Sequence, residues 1–157
     1  MAAAPMTRSA FLSWFHPDLL EDRLLHGCAL WQVITALGLP SEATPAPTSW
    51  PVSEVSWFGL GLAVGSAKAD QQRPAVFRLG SRSLQAQLFC LLDPSQPSGD
   101  AADPDPLDPD QWCYWLVPFH QLHPERQTIG VAPLIRAHGA GLRCDQLPSA
   151  FRALVSP

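Results

Sequence analysis

An eighteen-residue interruption limits how this chain can fold. Leu84 to Leu92 (LQAQLFCLL) and Gln111 to Val117 (QWCYWLV) both read as buried β-strands. Between them lies DPSQPSGDAADPDPLDPD, residues 93–110, with six Asp, five Pro and almost nothing apolar. Such a segment buries too little surface to offset the entropy of ordering itself. It is expected to be a mobile, anionic loop, with the folded body on either side.

The rest of the composition describes that body. At 157 residues the chain suits a single domain, 1–157, with residues 1–8 frayed. Only 15% of residues are charged, against roughly 25% in a typical domain, while 46% are apolar. Seventeen Pro break the chain often, so few long elements are expected. The net charge of −4 is carried by the loop; without its six carboxylates, eight acids face ten bases. The body is therefore mildly cationic.

No export signal is read at the start, because the apolar run in MAAAPMTRSAFLSWFHPD is short and broken by His16-Pro17-Asp18. No window is long and apolar enough for a membrane span. Cys28, Cys90, Cys113 and Cys144 have no tight spacing, and reduced thiols in the cytoplasm are the simplest expectation.

Ser9 can cap a short helix, Ala10 to Phe15, and Pro17 suits the first turn of a second. Leu20, Leu24, Cys28, Trp31 and Thr35 recur at helical spacing, widened by Leu30, Ile34 and Leu37. Gly38 stops this helix and Pro40 prevents its continuation. Its second half is apolar nearly all round, which predicts a central position. Pro40 to Pro51 reads as a connection within the domain.

Trp57 to Gly65 (WFGLGLAVG) alternates bulky and bare residues, the pattern of a strand, with a glycine-broken helix as the competing reading. Pro74 to Leu79 (PAVFRL) and Leu84 to Leu92 flank Gly80-Ser81-Arg82-Ser83 and predict an antiparallel hairpin. Thr128 to Val131 reads as a short strand, Pro133 to His138 as a short helix closed by Gly139, and Pro148 to Val155 as a terminal helix with Phe151 and Leu154 inward. Helices, then strands, then small helices predict an α+β fold, with an antiparallel or mixed sheet packed on the long N-terminal helix.

No motif in this sequence names a reaction. Gly59-x-Gly61-x-x-x-Gly65 has the wrong spacing for a dinucleotide or phosphate loop and reads as close backbone packing. Cys113, His120, His123 and Cys144 are the residues from which a zinc site would be assembled, but no Cys-x-x-Cys knuckle accompanies them. Cys113 with His120, or Cys144 between Arg143 and Asp145, are the candidates for thiol chemistry. Arg78, Arg82, Arg126 and Arg136, if they share a face, would hold phosphate or a partner's carboxylates.

The run from PAVFRL through LQAQLFCLL and QWCYWLVP to HQLHPERQTIGV, residues 74–132, resembles the strand order of restriction-endonuclease-like cores of the PD-(D/E)XK type. Gln85-Ala86-Gln87 falls where that family carries Glu-x-Lys or Gln-x-Lys, without the lysine, and PAVFRL lacks the metal-binding aspartate. What the resemblance implies is a catalytically inactive relative associated with nucleic acid.

The functional expectation is a small non-catalytic binding, regulatory or assembly module without a cofactor, acting through a protein partner. Trp50, Trp57 and Phe58, flanked by Pro and Gly, are the candidate contact surface. The alternatives are the inactive nuclease-like protein and a small Cys/His-dependent enzyme.

Overall fold

The computed structural model describes residues 22–38, 52–57, 59–69, 74–93 and 104–156. The expected helix at Ala10–Phe15, the Pro40–Pro51 connection and residues 94–103 of the acidic stretch lie outside them. The elements are α1 (Asp22–Leu37), β1 (Val52–Trp57), β2 (Leu60–Lys68), β3 (Val76–Arg78), β4 (Ala86–Leu92), β5 (Trp112–Pro118), β6 (Thr128–Gly130), α2 (Val131–His138) and α3 (Leu147–Val155). This is an α+β fold with a mixed four-stranded sheet, ordered β1-β2-β4-β5, and a separate two-stranded ribbon of β3 and β6. None of its described helices is long and apolar enough to cross a membrane.

The sheet is built around β4. All seven of its residues are buried, because both faces are covered. Ala86, Leu88, Cys90 and Leu92 point into a core shared with α1 and α3. Phe89 and Leu91 point into a second core, shared with Phe77 of β3, Ile129 of β6 and Leu134 of α2. The uninterrupted apolar reading of this strand follows from that double burial. β5 alternates in the same way, with Trp112 and Tyr114 in the first core and Cys113, Trp115 and Val117 in the second.

Helix α1 stops where expected. Gly38 takes a φ of +67°, the left-handed conformation that terminates helices, and its N–H donates to the Thr35 carbonyl at 3.3 Å. The buried face differs from the expected one. Leu25, Ala29 and Val33, with His26 and Leu30, face the sheet, whereas Trp31 is 56% and Leu24 42% exposed. The buried stripe also carries two polar residues, His26 and Gln32, which is why apolar spacing alone does not find it.

The glycine-rich run is a strand, but displaced. β2 starts at Leu60 and pairs antiparallel with β1, an element the sequence reading missed, with Trp57 opposite Leu60. Gly59, at φ +79°, sits in the turn between them.

The expected hairpin of residues 74–92 is not formed. β3 pairs with β6, and β4 pairs parallel with β2 and antiparallel with β5. The chain between β2 and β4 instead crosses over the second face of the sheet. There Gly80 packs so tightly that a Cβ on it would lie 2.5 Å from the Ala63 Cβ. The fully buried Gln87 ties the crossover down. Its Nε2 donates to the Arg78 carbonyl at 2.7 Å, and its Oε1 accepts from the Gly80 N–H at 2.8 Å. One side-chain amide thus stands in for a strand partner. Gln87→Leu leaves both backbone groups without it and is expected to cost about 1–3 kcal/mol, read as a lower denaturation midpoint. An unchanged midpoint would disprove the clamp.

The acidic stretch docks at its end. Trp112 Nε1 and Gln32 Nε2 both donate to the Pro106 carbonyl, at 2.9 and 3.3 Å. The Asp105 N–H donates to Gln111 Oε1 at 2.7 Å, and Asp105 is only 7% exposed. The expectation of a free loop over 93–110 therefore does not describe residues 104–110.

Candidate functional site

The crossover and the turn after β5 meet at one end of the ribbon. β3 brings Arg78, the crossover brings Arg82, and the segment leading into β6 brings Glu125 and Arg126. The Leu79 N–H donates to the Gln127 carbonyl at 2.9 Å, extending the β3–β6 ladder to the rim. Together these residues line an open pocket of about 500 Å³.

Arg82 is held in place. Its Nη2 donates to the carbonyls of His123 and Arg126 at 2.8 and 2.7 Å, and its guanidinium carbon lies 5.3 Å from the centroid of the Phe119 ring. Stacking on the ring and the two carbonyls fix the plane of the guanidinium. The turn it holds is closed by the Arg126 N–H on the His123 carbonyl, 3.1 Å, and by the Glu125 N–H on His123 Nδ1, 3.3 Å. The Arg78 and Arg126 guanidiniums make no hydrogen bond or ion pair among the described residues. Among the described residues, three arginines thus share the pocket lining with one carboxylate, Glu125.

Three of the four arginines singled out from the sequence therefore converge, while Arg136, on α2, does not line this pocket. Of the expected contact surface, Trp50 and Phe58 lie outside the described residues. Trp57 ends β1, and only its backbone is described.

The residues of the candidate zinc set are held apart. Cys113 points into the second core, where its Sγ donates to the Ala140 carbonyl at 3.4 Å. Cys144 packs on the first core, across the sheet. His120 lies exposed in the turn Phe119–Gln121, and His123 belongs to the arginine pocket's turn. Among the described residues no three His, Cys, Asp or Glu gather at metal-binding distance.

No thiol is activated. Burial pushes Cys28 up to about 11, and also raises Cys90, Cys113 and Cys144 above the ordinary thiol value. Cys144 lines a second pocket, of about 550 Å³, whose Arg143 donates to the Asp110 carbonyl. Desolvation raises its thiol there, outweighing the opposing influence of Tyr114 and of the nearby Arg143 guanidinium. The buried Tyr114 hydroxyl is pushed up for the same reason.

Sequence reasoning missed His26. It is fully buried between α1 and the sheet, with Nδ1 2.9 Å from Ser66 Oγ and Nε2 2.8 Å from Ser53 Oγ. A histidine within reach of two serines has the parts of a nucleophile–base pair. Both ring nitrogens are occupied, however, and desolvation lowers the ring from 6.5 to about 4. Neither His26 nor either serine lines the arginine pocket or the pocket beside Cys144. The cluster works as a polar clamp between helix and sheet. Only the placing of Ser53 and Ser66 on the adjacent strands β1 and β2 reveals it.

Gln85-Ala86-Gln87, the residues that carry the nuclease-like resemblance, are also engaged structurally. The Gln85 Oε1 accepts from the Gly61 N–H at 2.6 Å, and Gln87 holds the crossover. No family model, curated protein or solved structure matches this chain.

Proposed function

We propose that this protein is a non-catalytic binding module that docks a protein partner, with the Arg78–Arg82–Arg126 pocket receiving acidic groups of that partner. The observation that carries this reading is that three arginines line one open pocket, two of them with guanidiniums that make no hydrogen bond or ion pair among the described residues. Three like charges held together are a cost to the folded chain that an incoming anion relieves. The raised thiols and the enclosed His26 support the non-catalytic half of the reading.

An exposed ion pair contributes only about 0–1 kcal/mol, so the site depends on several guanidiniums acting on one group. The test is fluorescence polarisation with a labelled oligoglutamate peptide and an oligolysine control. Oligoglutamate binding is expected, weakening as salt rises from roughly 0.05 to 0.3 M. Arg78→Gln with Arg126→Gln should weaken it about tenfold, or about 1.4 kcal/mol. Their side chains support nothing inside the fold, so the melting curve should not move. Equal binding of both peptides, or undiminished binding by the double variant, would refute the reading.

A further inference from the structure

We infer that the acidic group this pocket takes is a phosphomonoester carried on a side chain of the partner, an inference that rests on the binding-module reading above. The first argument is charge. Among the described lining residues, three arginines against the Glu125 carboxylate leave an excess of two positive charges. A phosphomonoester brings about −1.5 to −2 at neutral pH, whereas one carboxylate brings a single charge.

The second argument is geometry. Arg78 comes from the ribbon, Arg82 from the crossover and Arg126 from the turn, so the three arginines of the lining reach it from three separate segments. Thr128, which faces Arg78 across the ribbon, adds a hydroxyl to the lining. A planar carboxylate offers two oxygens to such an arrangement. A phosphate offers three, in a tetrahedral spread that separate guanidiniums can share.

The third argument concerns the source of the phosphate. The pocket is open, and Arg78, Arg82 and Arg126 are all exposed, so a free ion would remain largely hydrated there. The surface continues beyond it. Val76 lies two residues from Arg78 on the same face of β3, about 7 Å away along the strand. It is 53% exposed and stands opposite Gly130, which has no side chain. A bulky apolar residue beside a bare one forms a shallow seat. An extended peptide whose phosphorylated residue sits in the pocket places the side chain two positions away over that seat. The ligand is thus a phosphorylated segment with an apolar residue two positions from the phosphate.

The experiment measures binding of the full chain to four probes. These are a degenerate peptide library with a central phosphoserine, the same library with serine, the same library with a Glu-Glu pair, and a short single-stranded DNA, with inorganic phosphate as competitor. The phosphoserine library is expected to bind at least about tenfold more tightly than the others. Its bound fraction should be enriched in apolar residues two positions from the phosphate. Arg78→Gln and Arg126→Gln should each weaken it about tenfold, and Val76→Asp should abolish the enrichment while leaving the fold intact by circular dichroism. Equal binding of the Glu-Glu library would overturn the phosphate inference and leave the binding-module reading standing. Competition by inorganic phosphate at the peptide's own concentration, or no positional preference, would overturn the protein-borne source. Tighter binding of DNA would overturn the peptide ligand, and no binding of any probe would remove both readings.

Discussion

Phe77→Ala is expected to lower stability by about 3–5 kcal/mol. Phe77 is 1% exposed and meets Phe89 edge to face, with ring centroids 5.2 Å apart and planes at 68°. It sits in a three-residue strand paired with another three-residue strand, so few backbone hydrogen bonds share the load. Its neighbours on that strand, Val76 and Arg78, both point outward. This ring is therefore β3's own anchor to the sheet. Removing it leaves a cavity between two layers that the ribbon is too short to close. In a chain of this size the loss corresponds to a melting temperature lower by roughly 10 °C. The arginine pocket should weaken with it, since Arg78 rides on the same strand. A loss below about 1 kcal/mol would show that something other than this ring holds the ribbon down.

Acid should destabilise the protein through His26. The folded ring titrates near 4 and the unfolded one near 6.5, because burial disfavours the imidazolium. The folded value is the lower one, so the stability it contributes is fully present above about 6.5 and is lost as pH falls toward 4. At about 1.4 kcal/mol per pH unit, the full loss is on the order of 3 kcal/mol. Denaturation midpoints measured from pH 7 to 4 should fall across that window. His26→Gln, which keeps hydrogen-bonding capacity but does not titrate, should lose most of the slope. A wild-type stability that stays flat over the window would show that the ring is protonated without penalty.

How much of this was readable depended on whether the signal was local. The stop of α1 at Gly38 and the aromatic run of β5 announce themselves, because a left-handed glycine and a strand buried on both sides need nothing distant. The inward face of α1 did not. Its stripe contains His26, and a histidine is a poor core candidate until two serines from other strands are known to meet it. β1 was missed for the same reason, since Ser53 points inward where an apolar residue was looked for.

The false hairpin came from Gly80-Ser81-Arg82-Ser83, which looks like a turn between strands. What decides against it is Gln87 reaching across to Arg78 and Gly80, together with the pairing of β3 with β6. The individual arginines of the candidate site were visible in the sequence. Their meeting was not, because it follows from a pairing between segments about fifty residues apart.

That pairing has a consequence for when the surface exists at all. Residues 78–82 supply one wall and 124–128 the other, and neither wall holds more than two of the three guanidiniums. A nascent chain emerging from the ribosome with only its first hundred residues carries only one wall of the pocket. Under the proposed binding role, recognition would be a property of the finished molecule, and a partner gripping this surface would select copies that have completed their folding over those still in progress.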